Sequence, residues 1–483
     1  MMQKIVSLKG STVEELELGI KGIFPEKCGL AAAINIPGAS SYVFDILYLE
    51  EHRGEDGAGI VSVRSGQFHQ RRRIGAILEN FSGVDLEKEI PGKVAIGQNR
   101  YTTHGDYRML SNIPPFIFQE TKFGPIAIGH NGTLVNFRKI KDDLMKEGAV
   151  FQSTTDSEIL AHLIAHSKKE TIEEAITETL EKITAAYSLL ILTPTKLFAI
   201  RDRFGVRPLS IGRMGDGFLI ASENYTFDQY SEAEFLRDIE PGEMIVFEKN
   251  HTGFQSIQYA AANEHFCIFE GIYFSAPRTS YKNCYHEDFR QALGKQLFRE
   301  NPDLQGDFIL PVLDSGKHHA IGLSKAMDHA LYKEYFLRIH NPKTRKRSYT
   351  APTHEERKQT AFQKLHLRKD KIKDKTAIVI DDSIVRSTTM KITCERLRNA
   401  GAKSIIVIIS SPVISNICPN GMDHQIKEEL VGYKSTVDEI RKEIGADSLI
   451  YLSLKGLTEV VAKTYKCGVC TGCFGGEYPV KPL

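Results

Sequence analysis

From residue 28 to about residue 250, apolar positions come in short runs: CGLAAAINI, GAGIVSV, KVAIGQNRY, PIAIGHNGTLVN, SLLILTP, KLFAIRD, GFLIASE and EMIVFE. Gly, Asn and Asp punctuate them. Many short strands with turn residues between them predict stacked antiparallel sheets. Two segments carry apolar residues at a spacing of three to four and predict helices: DSEILAHLIAHSKK (156–169) and TIEEAITETLEKITAAY (171–187). The second opens on Thr171 with Glu174 three positions later, the signature of a capping box.

From about 270 to 465 the pattern changes to strand followed by helix. FILPVLDSG precedes HHAIGLSKAMDHALYK, TAIVIDDS precedes TTMKITCERLRNAG, and SIIVIISSP comes next. Apolar strands alternating with helical segments predict a parallel sheet covered on both faces. Ligands in such sheets sit at the carboxyl ends of the strands. RIHNPKTRKRSYTAPTHEERKQ (338–359) is basic and poorly periodic, which suits a surface loop or a lid over an anionic ligand.

The chain has 483 residues, room for two to four domains at roughly 150 residues each. A net charge of +1 provides no global field to draw nucleic acid or an anionic membrane. No run approaches the ~18 apolar residues of a membrane helix, and the N-terminus lacks the apolar core of a signal peptide. A cytoplasmic protein with neither nucleic-acid nor membrane partners is expected. Eight cysteines are too sparse for a disulfide scaffold, yet three fall within CGVCTGC at 467–473. C-x-x-C spacing suits zinc, a redox pair or an iron–sulfur centre.

Asp381 and Asp382 close the apolar run TAIVI, and Ser383 to Thr389 then supply hydroxyls and backbone N–H groups before a helix. Adjacent carboxylates are costly in a cleft unless a cation or sugar hydroxyls engage them. The following loop can wrap a phosphate with its backbone donors and the helix N-terminus.

IVIDDSIVRSTT resembles the phosphoribosyl-pyrophosphate signature of type I phosphoribosyltransferases. With LRNAGAKSIIVIISSP and IGADSLIYLSLKGL, it resembles the family of glutamine phosphoribosylpyrophosphate amidotransferases, in the iron–sulfur-bearing branch. EHRGEDGAG (51–59), NRYTTHG (99–105), GHNGTLVN (129–136), TTDSEIL (154–160) and RDRFGVRPL (201–209) resemble, in order, the glutamine-amidotransferase domain of N-terminal-nucleophile hydrolases.

The resemblance implies a propeptide (1–27), an α+β amidotransferase sandwich with antiparallel sheets between helices (28–260), and an α/β phosphoribosyltransferase domain with a parallel sheet and a cysteine-rich C-terminal segment (261–483). Cys28 becomes the nucleophile, and its own α-amino group, freed by cleavage, takes the thiol proton. Asn131 and Gly132 form the oxyanion hole. Arg100 pairs with the glutamine carboxylate and Asp156 with its ammonium. The alternative for Arg100 and Asp156 is a structural ion pair.

Asp381, Asp382, Ser383, Arg386, Ser387, Thr388, Thr389 and the lid residue Arg338 bind phosphoribosyl pyrophosphate. Asp381, Asp382 and Ser315 hold Mg²⁺. Cys267, Cys418, Cys470 and Cys473 hold a [4Fe–4S] cluster, with zinc as the rival metal and Cys467 as the rival to Cys418. Cys284 and Cys394 are expected to be buried structural thiols. The implied activity is transfer of the glutamine amide nitrogen to phosphoribosyl pyrophosphate, giving 5-phosphoribosylamine in the first step of purine synthesis. The implied assembly is a tetramer inhibited by purine nucleotides.

Departures from the family pattern keep two other functions open: a paralogue with an altered acceptor or nitrogen donor, and a degenerate nucleotide-binding regulator. They are the lid at 338–350, Ser387 in place of a glycine, and Lys317, His318 and His319 after DSG.

Overall fold

The structure is a computed structural model that describes residues 28–101, 108–327, 332–338, 365–421 and 427–480. The expected propeptide and most of the expected lid lie outside the described residues.

Two antiparallel sheets form the first half. Edge to edge, the seven-stranded sheet runs Ala233–Asp238, Ser210–Met214, Gly217–Ala221, Gly29–Ile34, Val94–Arg100, Gly57–Arg64 and Gln67–Ile74. The six-stranded sheet runs Phe254–Gln258, Glu243–Glu248, Lys196–Arg201, Ala185–Leu192, Ile126–Leu134 and Phe116–Phe118. Leu30, Ala32, Ile34 and Ile96 of one sheet meet Ala127, Leu190, Leu197 and Ala199 of the other in a dry layer between them.

Helices cover the outer faces. Ala39–Leu49 packs Val43, Ile46 and Leu47 on the seven-stranded sheet. Glu158–His166 and Ile172–Lys182 pack Ile159, Leu160, Ile176 and Leu180 on the other. The capping box is formed: Glu174 N–H donates to Thr171 Oγ1 at 3.3 Å, and Thr171 N–H donates to Glu174 at 3.3 Å. This helix ends at Lys182 rather than 187, because AAYSLLIL begins the central strand Ala185–Leu192, buried throughout.

The second half holds a parallel sheet in the order Phe308–Pro311, Thr376–Asp381, Ser404–Ile409, Ser448–Tyr451. Helices His286–Glu300, Lys317–Ala326, Thr388–Asn399 and Leu454–Thr464 supply apolar residues to the two cores around it. Ile309, Ile378 and Ile408 face one core, and Phe308, Val379 and Val407 the other. The alternation is that of a sheet buried on both sides.

Candidate active sites

The first site lies where the strands Gly29–Ile34, Val94–Arg100 and Ile126–Leu134 converge. Cys28 precedes the first of these strands, is buried, and points its thiol at the Tyr101 carbonyl at 3.9 Å. A small cavity is lined by Cys28, Arg100, Gly132 and Asp156, together with His130 and Ser157. Asp156 Oδ2 accepts from Leu134 N–H at 2.8 Å, which fixes the carboxylate against the strand carrying Asn131 and Gly132. Asn131 does not line the cavity. Its Nδ2 is buried and has no hydrogen-bond partner among the described residues, so a donor is available beside Gly132. A Cβ on Gly54, the glycine of EHRG, would stand 2.7 Å from the Arg100 carbonyl carbon, so only glycine lets this turn press against the Arg100 backbone.

Sequence reasoning overlooked His130. Its Nδ1 is 2.9 Å from Ser157 Oγ, and its backbone exchanges two hydrogen bonds with the Gln98 side chain at 2.6 and 2.8 Å. GHNGT contains it, but reading that motif for an oxyanion hole passes over the histidine.

The second site lies at the carboxyl ends of the parallel strands. Asp381 is the last residue of its strand, and both aspartates are buried. Ser315 donates to Asp381 Oδ1 at 2.6 Å, Asp382 N–H donates to the same oxygen at 2.9 Å, and Ser383 donates to Asp382 Oδ2 at 2.6 Å. Burial, reinforced by the charge of Asp382, pushes the Asp381 carboxyl well above the ordinary range. Burial also raises that of Asp382, against the pull of Arg290.

The helix Thr388–Asn399 begins with Thr388 and Thr389 in its first turn and Ser387 at its N-cap. Ser387 donates to Glu443, and Arg386 pairs with Glu429 at 2.7 Å. Both side chains are therefore tied to carboxylates at the place where a phosphate is expected. Arg338 ends the short strand Phe336–Arg338, paired with Leu365–Leu367. Of the three residues after DSG, Lys317 lies 3.6 Å from Glu334 and His318 lies 3.7 Å from Glu287. His319 is fully buried.

Cys267 and Cys470 are directly paired in a two-residue parallel ladder, Phe266–Cys267 beside Val469–Cys470. The Cys473 carbonyl accepts from Ser415 and Asn416 N–H at 3.0 and 3.2 Å, which draws in the segment carrying Cys418. All four thiols are buried. Burial pushes Cys470 up to about 12 and raises Cys267 and Cys473 too, and the charges of the grouped cysteines add to the rise. Cys467 instead feels Glu264, Lys282 and Arg201. No group of three His, Cys, Asp or Glu side chains among the described residues stands in metal-ligating geometry. The four-thiol donor set nevertheless suits a cluster or zinc. Cys394 is buried as expected, whereas Cys284 is only half-buried.

Residues 112–229 match the glutamine amidotransferase domain family. The chain is 36% identical over 466 residues to an amidophosphoribosyltransferase of Bacillus subtilis, covering 96% of each chain. It belongs to the amidophosphoribosyltransferase family. A chloroplastic member from Vigna aconitifolia is 37% identical over 95% of this chain and 92% of its own. One from Methanothermobacter thermautotrophicus is 34% identical over 94% of each. The solved glutamine phosphoribosylpyrophosphate amidotransferase of B. subtilis, complexed with ADP and GMP, superimposes with a TM-score of 0.86 at 35% identity, over 94% of this chain and 98% of that one. Family membership makes this chain a glutamine-using transferase of purine biosynthesis, and the sandwich followed by a parallel-sheet domain is the family's fold. No helix among the described residues is long and apolar enough to cross a membrane.

Proposed function

We propose that Cys28 releases ammonia from glutamine and that Asp381 and Asp382 hold the phosphoribosyl pyrophosphate the ammonia attacks. The observation that carries this reading is the cavity shared by Cys28, Arg100, Gly132 and Asp156. With residues 1–27 removed, the α-amino group of Cys28 takes the thiol proton. The thiolate attacks the amide carbon while Asn131 Nδ2 and the Gly132 N–H receive the oxyanion. Arg100 and Asp156 grip the substrate's carboxylate and ammonium. The amide C–N bond breaks, the nitrogen leaves as ammonia with the transferred proton, and water cleaves the γ-glutamyl thioester to glutamate.

At the second site, ammonia forms a bond to C1 of the sugar as the C1–O bond to pyrophosphate breaks. Buried, charge-crowded carboxylates suit a divalent cation, so Asp381, Asp382 and Ser315 are the residues to hold Mg²⁺, which when bound neutralises the leaving pyrophosphate. Ser383 to Thr389 cradle the 5-phosphate with backbone N–H groups and hydroxyls, for which Arg386 and Ser387 must exchange Glu429 and Glu443 for phosphate oxygens. Arg338 is the lid residue assigned to binding phosphoribosyl pyrophosphate.

Cys267, Cys418, Cys470 and Cys473 hold a structural [4Fe–4S] cluster, since neither half-reaction needs electrons. The charge of Cys418 acts on Cys267, Cys470 and Cys473, which favours Cys418 over Cys467 and leaves zinc as the competing occupant. The protein works in the cytoplasm as a tetramer, and purine nucleotides inhibit it, as the ADP and GMP on the B. subtilis relative suggest.

The test is a steady-state assay with glutamine or ammonia as donor. Pyrophosphate release and 5-phosphoribosylamine formation are expected with both. Failure with both donors sinks the reading.

A further inference from the structure

Two carboxylates from outside the phosphate loop already engage it. Arg386 Nε and Nη2 donate to Glu429 Oε2 at 2.8 and 2.7 Å. The Ser387 hydroxyl donates to Glu443. Glu429 lies in the short turn Lys427–Glu429, and the residues after it are tied to the loop, since Val431 N–H donates to the Val385 carbonyl at 3.0 Å. Glu443 belongs to the helix Val437–Ile444. Ile440 and Ile444 of that helix share a core with Met390 and Leu397 of the helix Thr388–Asn399, which fixes Glu443 beside the loop.

The place Glu443 occupies suits an anion. Ser387 is the N-cap of a 12-residue helix, and its side chain makes no cap bond to the first turn. A serine there ordinarily accepts a first-turn N–H. Here the hydroxyl donates to a carboxylate instead, so a negative charge stands at the positive end of the helix. Glu429 likewise occupies two N–H groups of the Arg386 guanidinium.

A sugar phosphate must therefore displace both carboxylates. The apparent affinity of a ligand falls with the fraction of molecules whose site is open to it. Displacement favours a phosphate ester, which carries close to two charges at neutral pH against the single charge of each carboxylate. It lowers the affinity of every ligand that uses this subsite by the same factor. A ligand with a second anchor tolerates the loss. Phosphoribosyl pyrophosphate has one at Asp381 and Asp382, whereas ribose 5-phosphate lacks the pyrophosphate that provides it.

We propose that Glu429 and Glu443 are specificity-determining residues: they occupy the 5-phosphate subsite in the free protein, so that sugar phosphates without a pyrophosphate are held too weakly to compete. This rests on the reading of the sugar-phosphate site given above.

The experiment uses the full-length protein with ammonia as donor, so that the glutamine site does not enter. KM for phosphoribosyl pyrophosphate and the inhibition constant of ribose 5-phosphate are measured in the parent, in Glu429→Gln, in Glu443→Gln and in the double variant. Glutamine keeps the shape of the side chain and removes its charge. Glu443 is exposed and Glu429 half-buried, so the variants should fold. Each single variant should lower KM about two- to fivefold with kcat within about twofold, the scale of one exposed ion pair. The double variant should lower it by the product of the two factors. The inhibition constant of ribose 5-phosphate should fall by the same factor as KM in each variant.

Loss of a merely structural pair would leave KM unchanged or raise it. Either result in a single variant overturns the inference for that residue. A fall in KM without an equal fall in the inhibition constant overturns the placement of the carboxylates in the 5-phosphate subsite. Absence of ammonia-dependent synthesis in the parent instead overturns the reading of the sugar site, so the two failures are distinguishable.

Discussion

The Ser315 hydroxyl donates to Asp381 at 2.6 Å across 66 positions of sequence, joining the loop after one parallel strand to the end of the next. The bond favours the ionised form of a carboxyl that burial and Asp382 drive toward protonation. Ser315→Ala should therefore weaken Mg²⁺-pyrophosphate binding by roughly tenfold, the scale of one hydrogen bond to a charged group. Isothermal titration calorimetry checks it, and unchanged affinity would remove Ser315 from the cation site.

Asp381→Asn should abolish sugar-phosphate turnover yet stabilise the metal-free protein at neutral pH by about 1–3 kcal/mol, the order of an uncompensated buried polar group. Both aspartates have raised pKa values. A raised carboxyl contributes stability that is present below its unfolded value of 3.8 and lost as pH rises through the folded value. The melting-temperature gap between variant and parent should widen above pH 4, and Mg²⁺ should narrow it. A gap that stays constant with pH contradicts the assignment.

Cys28→Ala should eliminate glutamine-dependent synthesis and leave the ammonia-dependent rate within about twofold, because only the amide-cleaving step uses the thiol. Intact-mass spectrometry on the unsubstituted protein should show a chain beginning at Cys28. A chain retaining Met1 with full glutamine-dependent activity would mean that another base takes the thiol proton.

His286 and His319 are fully buried, and burial together with Arg290 holds both down at about 3. A depressed histidine contributes stability that is present above its unfolded value of 6.5 and lost as pH falls toward the folded one. Each should cost up to about 1.4 kcal/mol per pH unit below that point. Denaturant unfolding from pH 7 to pH 5 should show a shallower decline for His319→Gln than for the parent.

Cys470→Ser should lower iron and acid-labile sulfide content together in anaerobically purified protein, whereas Cys467→Ser should leave both unchanged. Zinc without sulfide in the parent would replace the cluster by a Cys₄ zinc site.

The parallel sheet was plain in the sequence because strands buried on both faces read as unbroken apolar runs, as in FILP, TAIVI and SIIVII. The helix Ile172–Lys182 was plain from its capping box. Ala39–Leu49 was not. Its N-cap is Gly38 at φ 68°, with no side-chain cap, and SYVFDILYL has too little polar contrast to reveal its period.

Motif order picked out Cys28, Arg100, Gly132 and Asp156, and these four line one cavity. Arg53 lay inside a quoted motif, but its buried ion-pair partners Glu223 and Glu270 are brought to it by folding alone. Long-range buried charge leaves no local spacing to read.

The ladder Phe266–Cys267 with Val469–Cys470 has a consequence for biosynthesis. The segment leading into Glu270 borrows its neighbouring strand from Val469–Cys470, which leave the ribosome long after it. Until then Arg53 faces two acidic side chains whose surroundings are half-assembled. Truncated products lacking the tail would carry that gap permanently, a mark by which proteases can tell unfinished copies from complete ones.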